Sequence, residues 1–100
     1  MKKLAQKIEI VAAKYVEKFG FERDDDWYVF KLQEELGELT QKFLMLSGRA
    51  RDKGLTPEQI REEFADEVAD TFCLTVLLAA HFDIDIVDAV DKKWFRYLDD

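Results

Sequence analysis

Apolar residues recur at steps of three and four along nearly the whole chain, a rhythm that predicts helices. Leu4, Ile8, Val11, Ala12, Tyr15 and Phe19 mark a first helix over about residues 3–19, with Gly20 placed to close it in the left-handed region. Asp24, Asp25 and Asp26 offer an N-cap and a negative first turn to a second helix. Leu32, Leu36, Leu39, Phe43 and Leu46 form its seam, which is expected to pack on another helix, and it ends near Ser47-Gly48. Residues 49–55 are the longest expected loop and are basic. Thr56, Pro57 and Gln59 together spell a helix start, and the third helix runs from there to about Ala80. Asp83 or Asp85 opens a fourth helix reaching about Tyr97, with Ile86, Val87, Val90, Trp94 and Tyr97 as its buried positions. No strand pattern or repeat interrupts this, and a single Pro with four Gly suits an all-α fold of four helices over residues 1–100 as one domain.

Two pairs of carboxylates sit against this apolar pattern. Glu35 and Glu38 on the second helix, and Glu67 and Asp70 on the third, are each three residues apart and project from one helical face. With Leu32 set at zero, the seam lies within about 40° of it, Glu35 at about −60° and Glu38 at about −120°. Lys31 and Lys42 share that face, and Glu34 is one turn from Glu38. With Ile60 at zero, Glu67 falls at about −20°, Glu63 at about −60° and Asp70 at about −80°. Glu67 therefore points where an apolar residue is expected. Two carboxylates about 5 Å apart at an effective dielectric of about 20 repel by roughly 3 kcal/mol. Four gathered at a helix interface call for protons, lysines or a divalent cation. Oxygen-only ligands select hard ions, so Mg²⁺ is the expected occupant, with Mn²⁺ possible. Gly37, at a cost of about 1 kcal/mol in helix propensity, would let a facing helix or ligand approach. A solvated acidic face is the plain alternative in a chain with 22 acidic residues; the seam-flanking positions favour a metal site.

The remaining composition narrows the field. A net charge of −7 argues against binding a nucleic-acid backbone, whose footprint is basic. The apolar run from Phe72 to Ala80 is too short to cross a bilayer, and its all-round character implies burial on every side, partly by a second subunit. Cys73 is alone and reads as a core thiol, which with the absence of a signal-peptide pattern favours the cytoplasm. His81 is the only histidine, so His-based hydrolase or di-iron chemistry has no support.

At its carboxylate motifs the chain resembles the all-α nucleotide pyrophosphohydrolase superfamily, the MazG-like proteins. Glu34-Glu35-Leu36-Gly37-Glu38 is similar to that family's Glu-x-x-Glu motif, and Asp66-Glu67-Val68-Ala69-Asp70 to its Glu-x-x-Asp motif, within a resemblance spanning about residues 27–97. The resemblance implies Mg²⁺-dependent hydrolysis of a nucleoside triphosphate between the α and β phosphates, giving a monophosphate and pyrophosphate. It makes Glu35, Glu38, Glu67 and Asp70 the metal ligands. Glu34 and Glu35 become the catalytic carboxylates, with Glu34 positioning a further ion or the attacking water. Lys31, Lys93 and Arg96 are the candidate phosphate contacts, and Trp27, Phe30 or Trp94 could stack on a base. Lys93 stands where the family carries an Asn, a departure at the phosphate and sugar contacts. The resemblance also implies a homodimer or homotetramer. The runner-up reading is a non-catalytic helical dimer, a binding or regulatory module.

Overall fold

A computed structural model describes residues 1–99, in which four α-helices and one short 3-10 turn follow in order. Helix α1 spans Lys2–Phe19 and ends on Gly20, whose φ of 65° is the left-handed conformation that glycine adopts without strain. Helix α2 spans Asp25–Leu46; the Asp24 side chain accepts a hydrogen bond from Trp27 N at 2.8 Å, and Asp25 and Asp26 oppose the helix dipole. Helix α3 spans Pro57–His81 behind a full capping box. There Thr56 Oγ1 accepts from Gln59 N at 3.2 Å while Gln59 Oε1 accepts from Thr56 N at 2.9 Å. These starts and stops agree with the sequence pattern, and no strand occurs among the described residues. The chain is all-α.

The fourth helix departs from expectation. Helix α4 covers only Ile86–Lys93, with Asp85 rather than Asp83 as its cap, and a 3-10 turn follows at Phe95–Tyr97. Asp83 instead takes a left-handed φ of 55° in the turn after α3. Trp94 is 69 % exposed and Val87 and Tyr97 are also exposed, so the buried face expected there is only half-formed by Ile86 and Val90. A short helix draws its stability from packing, and α4 has little to pack on.

Helices α2 and α3 form an antiparallel hairpin through residues 47–56, and α1 lies more loosely across it. Tyr28, Met45, Ile60, Val76, Leu77 and Ala79 make up the buried apolar core. Within the hairpin, α2 is rolled so that Glu35 turns toward α3, while Leu36 and Phe43 of its seam face solvent and Leu32, Leu39 and Leu46 stay half-buried. Val29, Leu36 and Phe43 of α2 and Val68 and Phe72 of α3 are 41 % to 48 % exposed. Helical rotation puts this set on the side of the hairpin opposite α1. The expected burial of Phe72 on all sides is thus not met within one chain. The radius of gyration is 16.3 Å, against about 13 Å for a close-packed chain of this length. The accessible surface is 7959 Å² where a compact 11.8 kDa monomer exposes roughly 5,900 Å². No helix among the described residues is long and apolar enough to cross a membrane.

Candidate metal centre

The register of the hairpin is held at both ends by polar side chains. At one end His81 Nε2 lies 2.6 Å from Asp25 Oδ1 and its ring stacks on Tyr28 at 4.2 Å. Further along, Lys42 Nζ donates to Glu63 Oε1 at 2.6 Å. Between these clamps Glu35, Glu67 and Asp70 converge, with one carboxylate oxygen from each lying within 4.8 Å of the others. Glu34, Glu35 and Glu38 form a second such set along α2. Glu35 belongs to both. The sequence presents the acids as two separate pairs; folding joins them through this one residue.

Glu35 is also the buried one, at 7 % exposure, whereas Glu38 and Glu67 are half-buried and Glu34 and Asp70 exposed. Burial pushes the Glu35 carboxyl up to about 7; the charges of Glu38, Asp70 and Glu67 add to this and Lys31 opposes it. Glu67 is raised by burial and by Glu38 and Asp70, against Lys42, and Asp70 is raised by burial and by Asp66 and Glu38. Glu35 Oε2 and Glu67 Oε2 are buried without a donor. A proton on Glu35 would supply one such donor, and hydrogen bonding from Glu35 works to lower Glu67. An alternative to that proton is a hard cation, which accepts lone pairs from several carboxylates at once. The donor set is all oxygen, convergent and under-neutralised, and it fits such an ion.

The candidate cations divide. Lys31 Nζ stands 3.3 Å from Glu34 Oε1 and 3.7 Å from Glu35 Oε1, at the edge of the cluster. Lys42 is engaged by Glu63. Lys93 and Arg96 lie on the exposed segment after Asp85, which packs chiefly on itself, and Arg96 donates to its neighbour Tyr97 Oη at 2.6 Å. A single chain does not bring them to the carboxylates. Gly37 is a correction of another kind: a Cβ there would meet nothing within 4 Å, so among the described residues no facing helix closes on it.

Sequence reasoning missed the cleft that leads to the cluster. It has a volume of 490 Å³ and runs between α1 and the hairpin, with Glu35, Asp70 and Lys31 at one end. Ile8, Val11 and Tyr15 contribute the α1 wall, and Cys73, expected in the core, is half-buried on the opposite wall. The signal was present in α1, whose Ile8, Val11 and Tyr15 repeat at helical spacing, but that spacing reads equally as core. Of the aromatics considered for stacking, Trp27 lines the cleft while Phe30 and Trp94 are largely exposed elsewhere. Comparison with protein-family models, with curated proteins and with solved structures gives no match.

Proposed function

We propose that this chain is a divalent-cation-dependent nucleoside triphosphate pyrophosphohydrolase of the MazG-like type. It cleaves the α–β phosphate bond to give a nucleoside monophosphate and pyrophosphate. The observation that carries this reading is Glu35: a buried carboxylate, short of donors, shared by two oxygen-ligand sets at the mouth of a cleft. Glu35, Glu38, Glu67 and Asp70 would hold Mg²⁺, or Mn²⁺ in its place. When bound, such an ion neutralises phosphate oxygens and acidifies a coordinated water. Phosphoryl-type hydrolysis asks the protein mainly for positioning and charge. Glu34, exposed beside Glu35 and Glu38, accepts the proton of the attacking water. Lys31 leaves its two glutamates to meet the phosphate chain entering from the cleft.

Assembly into a homodimer or homotetramer is part of this reading. The chain exposes about 2,000 Å² more than a compact monomer of its mass, and a stable interface takes about 800 Å² from each partner. The face of Val29, Leu36, Phe43, Val68 and Phe72 is the apolar surface that a second copy would cover. The runner-up, a binding or regulatory module without turnover, draws on one observation: of the candidate phosphate contacts Lys31, Lys93 and Arg96, only Lys31 lies beside the carboxylates among the described residues.

The deciding experiment measures pyrophosphate and monophosphate release from a panel of nucleoside triphosphates, with Mg²⁺ and with chelator. Equimolar release that requires the metal and is abolished by Glu38→Gln or Asp70→Asn is expected. No release from any nucleotide would leave the binding module as the better description.

A further inference from the structure

Of the three long helices, α1 alone buries no residue. Its apolar stripe nevertheless faces the hairpin: Ile8, Val11 and Tyr15 stand on one wall of the cleft, and Cys73, Leu74 and Leu77 of α3 on the other. Lys7 borders the α1 wall, and Lys31, Glu35 and Asp70 form the polar end. Val11 is 67 % exposed although apolar residues stand across from it. Protein interiors leave few voids larger than a water molecule. A space of 490 Å³ between two apolar walls therefore marks a contact that is not closed. Toward the N-terminus a second groove, of 380 Å³, runs between Lys2 and Ala5 of α1 and Val76 and Ala79 of α3.

The attachments of α1 are uneven. At its C-terminal end Tyr15 packs on Phe19 at 4.6 Å and on Phe21 at 5.7 Å, and Phe21 packs on Trp27 of α2 at 5.6 Å. Gly20 turns the chain between these rings. At mid-helix, Arg23 donates to both carboxylate oxygens of Glu9, at 2.7 and 3.1 Å, and its guanidinium lies 5.7 Å over the buried Tyr28 ring. Among the described residues this is the one ion pair that joins α1 to the rest of the chain. We propose that α1 is a hinged lid: it pivots at Gly20 and the rings beside it, opens and closes the cleft over Cys73, and is latched by the Glu9–Arg23 pair, which limits how far it opens. Apolar attraction between the walls draws α1 inward, and the latch keeps it from swinging out. The lid concerns access to the cleft and holds whatever the cleft binds, so it stands apart from the hydrolase reading.

The test uses the chain's only cysteine. Cys73 lies on the α3 wall, so its alkylation by N-ethylmaleimide, an uncharged reagent, reads how often the lid is open. Where opening and closing are fast, the rate follows the open fraction. Glu9→Gln keeps the shape of an exposed side chain and breaks the latch, and it should speed alkylation about three- to fivefold. Arg23→Gln, which also gives up the Tyr28 contact, should speed it at least as much, and it carries the test should Glu9→Gln lose helix content. Salt screens the pair, so about 1 M sodium chloride should bring wild type and Glu9→Gln to within about twofold of each other. Lid opening exposes little surface, so urea below the unfolding transition should change the rate only slightly. Equal or slower alkylation in both variants overturns the proposal. So does a rate that climbs with urea as steeply as global unfolding, because Cys73 would then be reached only when the hairpin comes apart. A rate that falls as protein concentration rises overturns it too, since a second copy would then be the cover.

Discussion

Replacing Glu35 by Gln should stabilise the metal-free protein, and only above mildly acidic pH. The unfolded chain releases the Glu35 proton near 4.5 and the folded chain near 7. Between these values the folded state binds a proton that the unfolded state has released, so stability falls as pH climbs through this window. Above about 7 the cost is fully present, and for this shift it amounts to about 3 kcal/mol. Glutamine has similar shape, carries no charge, and brings an amide donor to the cluster where Glu67 Oε2 has none. The substitution also removes the Glu35–Lys31 ion pair, which is long, at 3.7 Å, and Lys31 keeps Glu34. Glu35→Gln should therefore gain about 2 kcal/mol at pH 8 and differ from wild type by less than about 0.5 kcal/mol at pH 5. Urea unfolding with chelator, at several pH values and one fixed protein concentration, measures this directly. A variant less stable than wild type at pH 8, or a difference that does not change with pH, would refute the reasoning.

Other outcomes follow from the same structure. Mg²⁺ at 100 times its dissociation constant should stabilise the wild type by about 2.7 kcal/mol; thermal unfolding with and without chelator tests this, and an equal shift in a Glu67→Gln/Asp70→Asn double variant would exclude the cluster as the binding site. Thr56→Ala removes one half of the capping box and should cost about 1 kcal/mol, read by urea midpoint, with turnover per folded molecule unchanged. Leu36→Glu or Phe72→Glu places charge on the open apolar face and should shift sedimentation toward the monomer while leaving the helical circular dichroism intact; an unchanged sedimentation coefficient would mean that this face is not where copies meet.

The helices were legible because local chemistry decides them. Asp24, Thr56 with Gln59, and Gly20 act within one turn of themselves, and all three do what their residue types suggest. The acidic pairs were legible as spacing; Glu35 is buried and Glu38 and Glu67 half-buried, while Asp70 stays exposed. What spacing could not convey is the roll of α2 against α3. The seam through Leu32, Leu36 and Phe43 is the most apolar stripe of α2, yet Glu35 and Lys42 meet α3. A stripe announces that something must cover it, without saying whether the cover lies in the same chain. The same gap explains α4: Trp94 and Tyr97 have the spacing of a buried face, and the described chain supplies nothing to bury them. The central place of Glu35 among the carboxylates depends on which residue of α2 meets which of α3, a long-range fact set in part by the His81–Asp25 and Lys42–Glu63 clamps.

The looseness of the segment after Asp85 has a consequence for how the molecule opens. Amide hydrogens exchange through local unfolding where few apolar contacts oppose it, and through global unfolding where many do. Helix α4 shares little packing with the hairpin, so its amides should exchange by opening that leaves α2 and α3 closed. The central amides of α2 and α3, flanking Glu35 and Glu67, should exchange only when the whole hairpin comes apart. A single isotope-exchange time course would then separate two cooperative units within 100 residues, with the carboxylate cluster lying wholly inside the slower one.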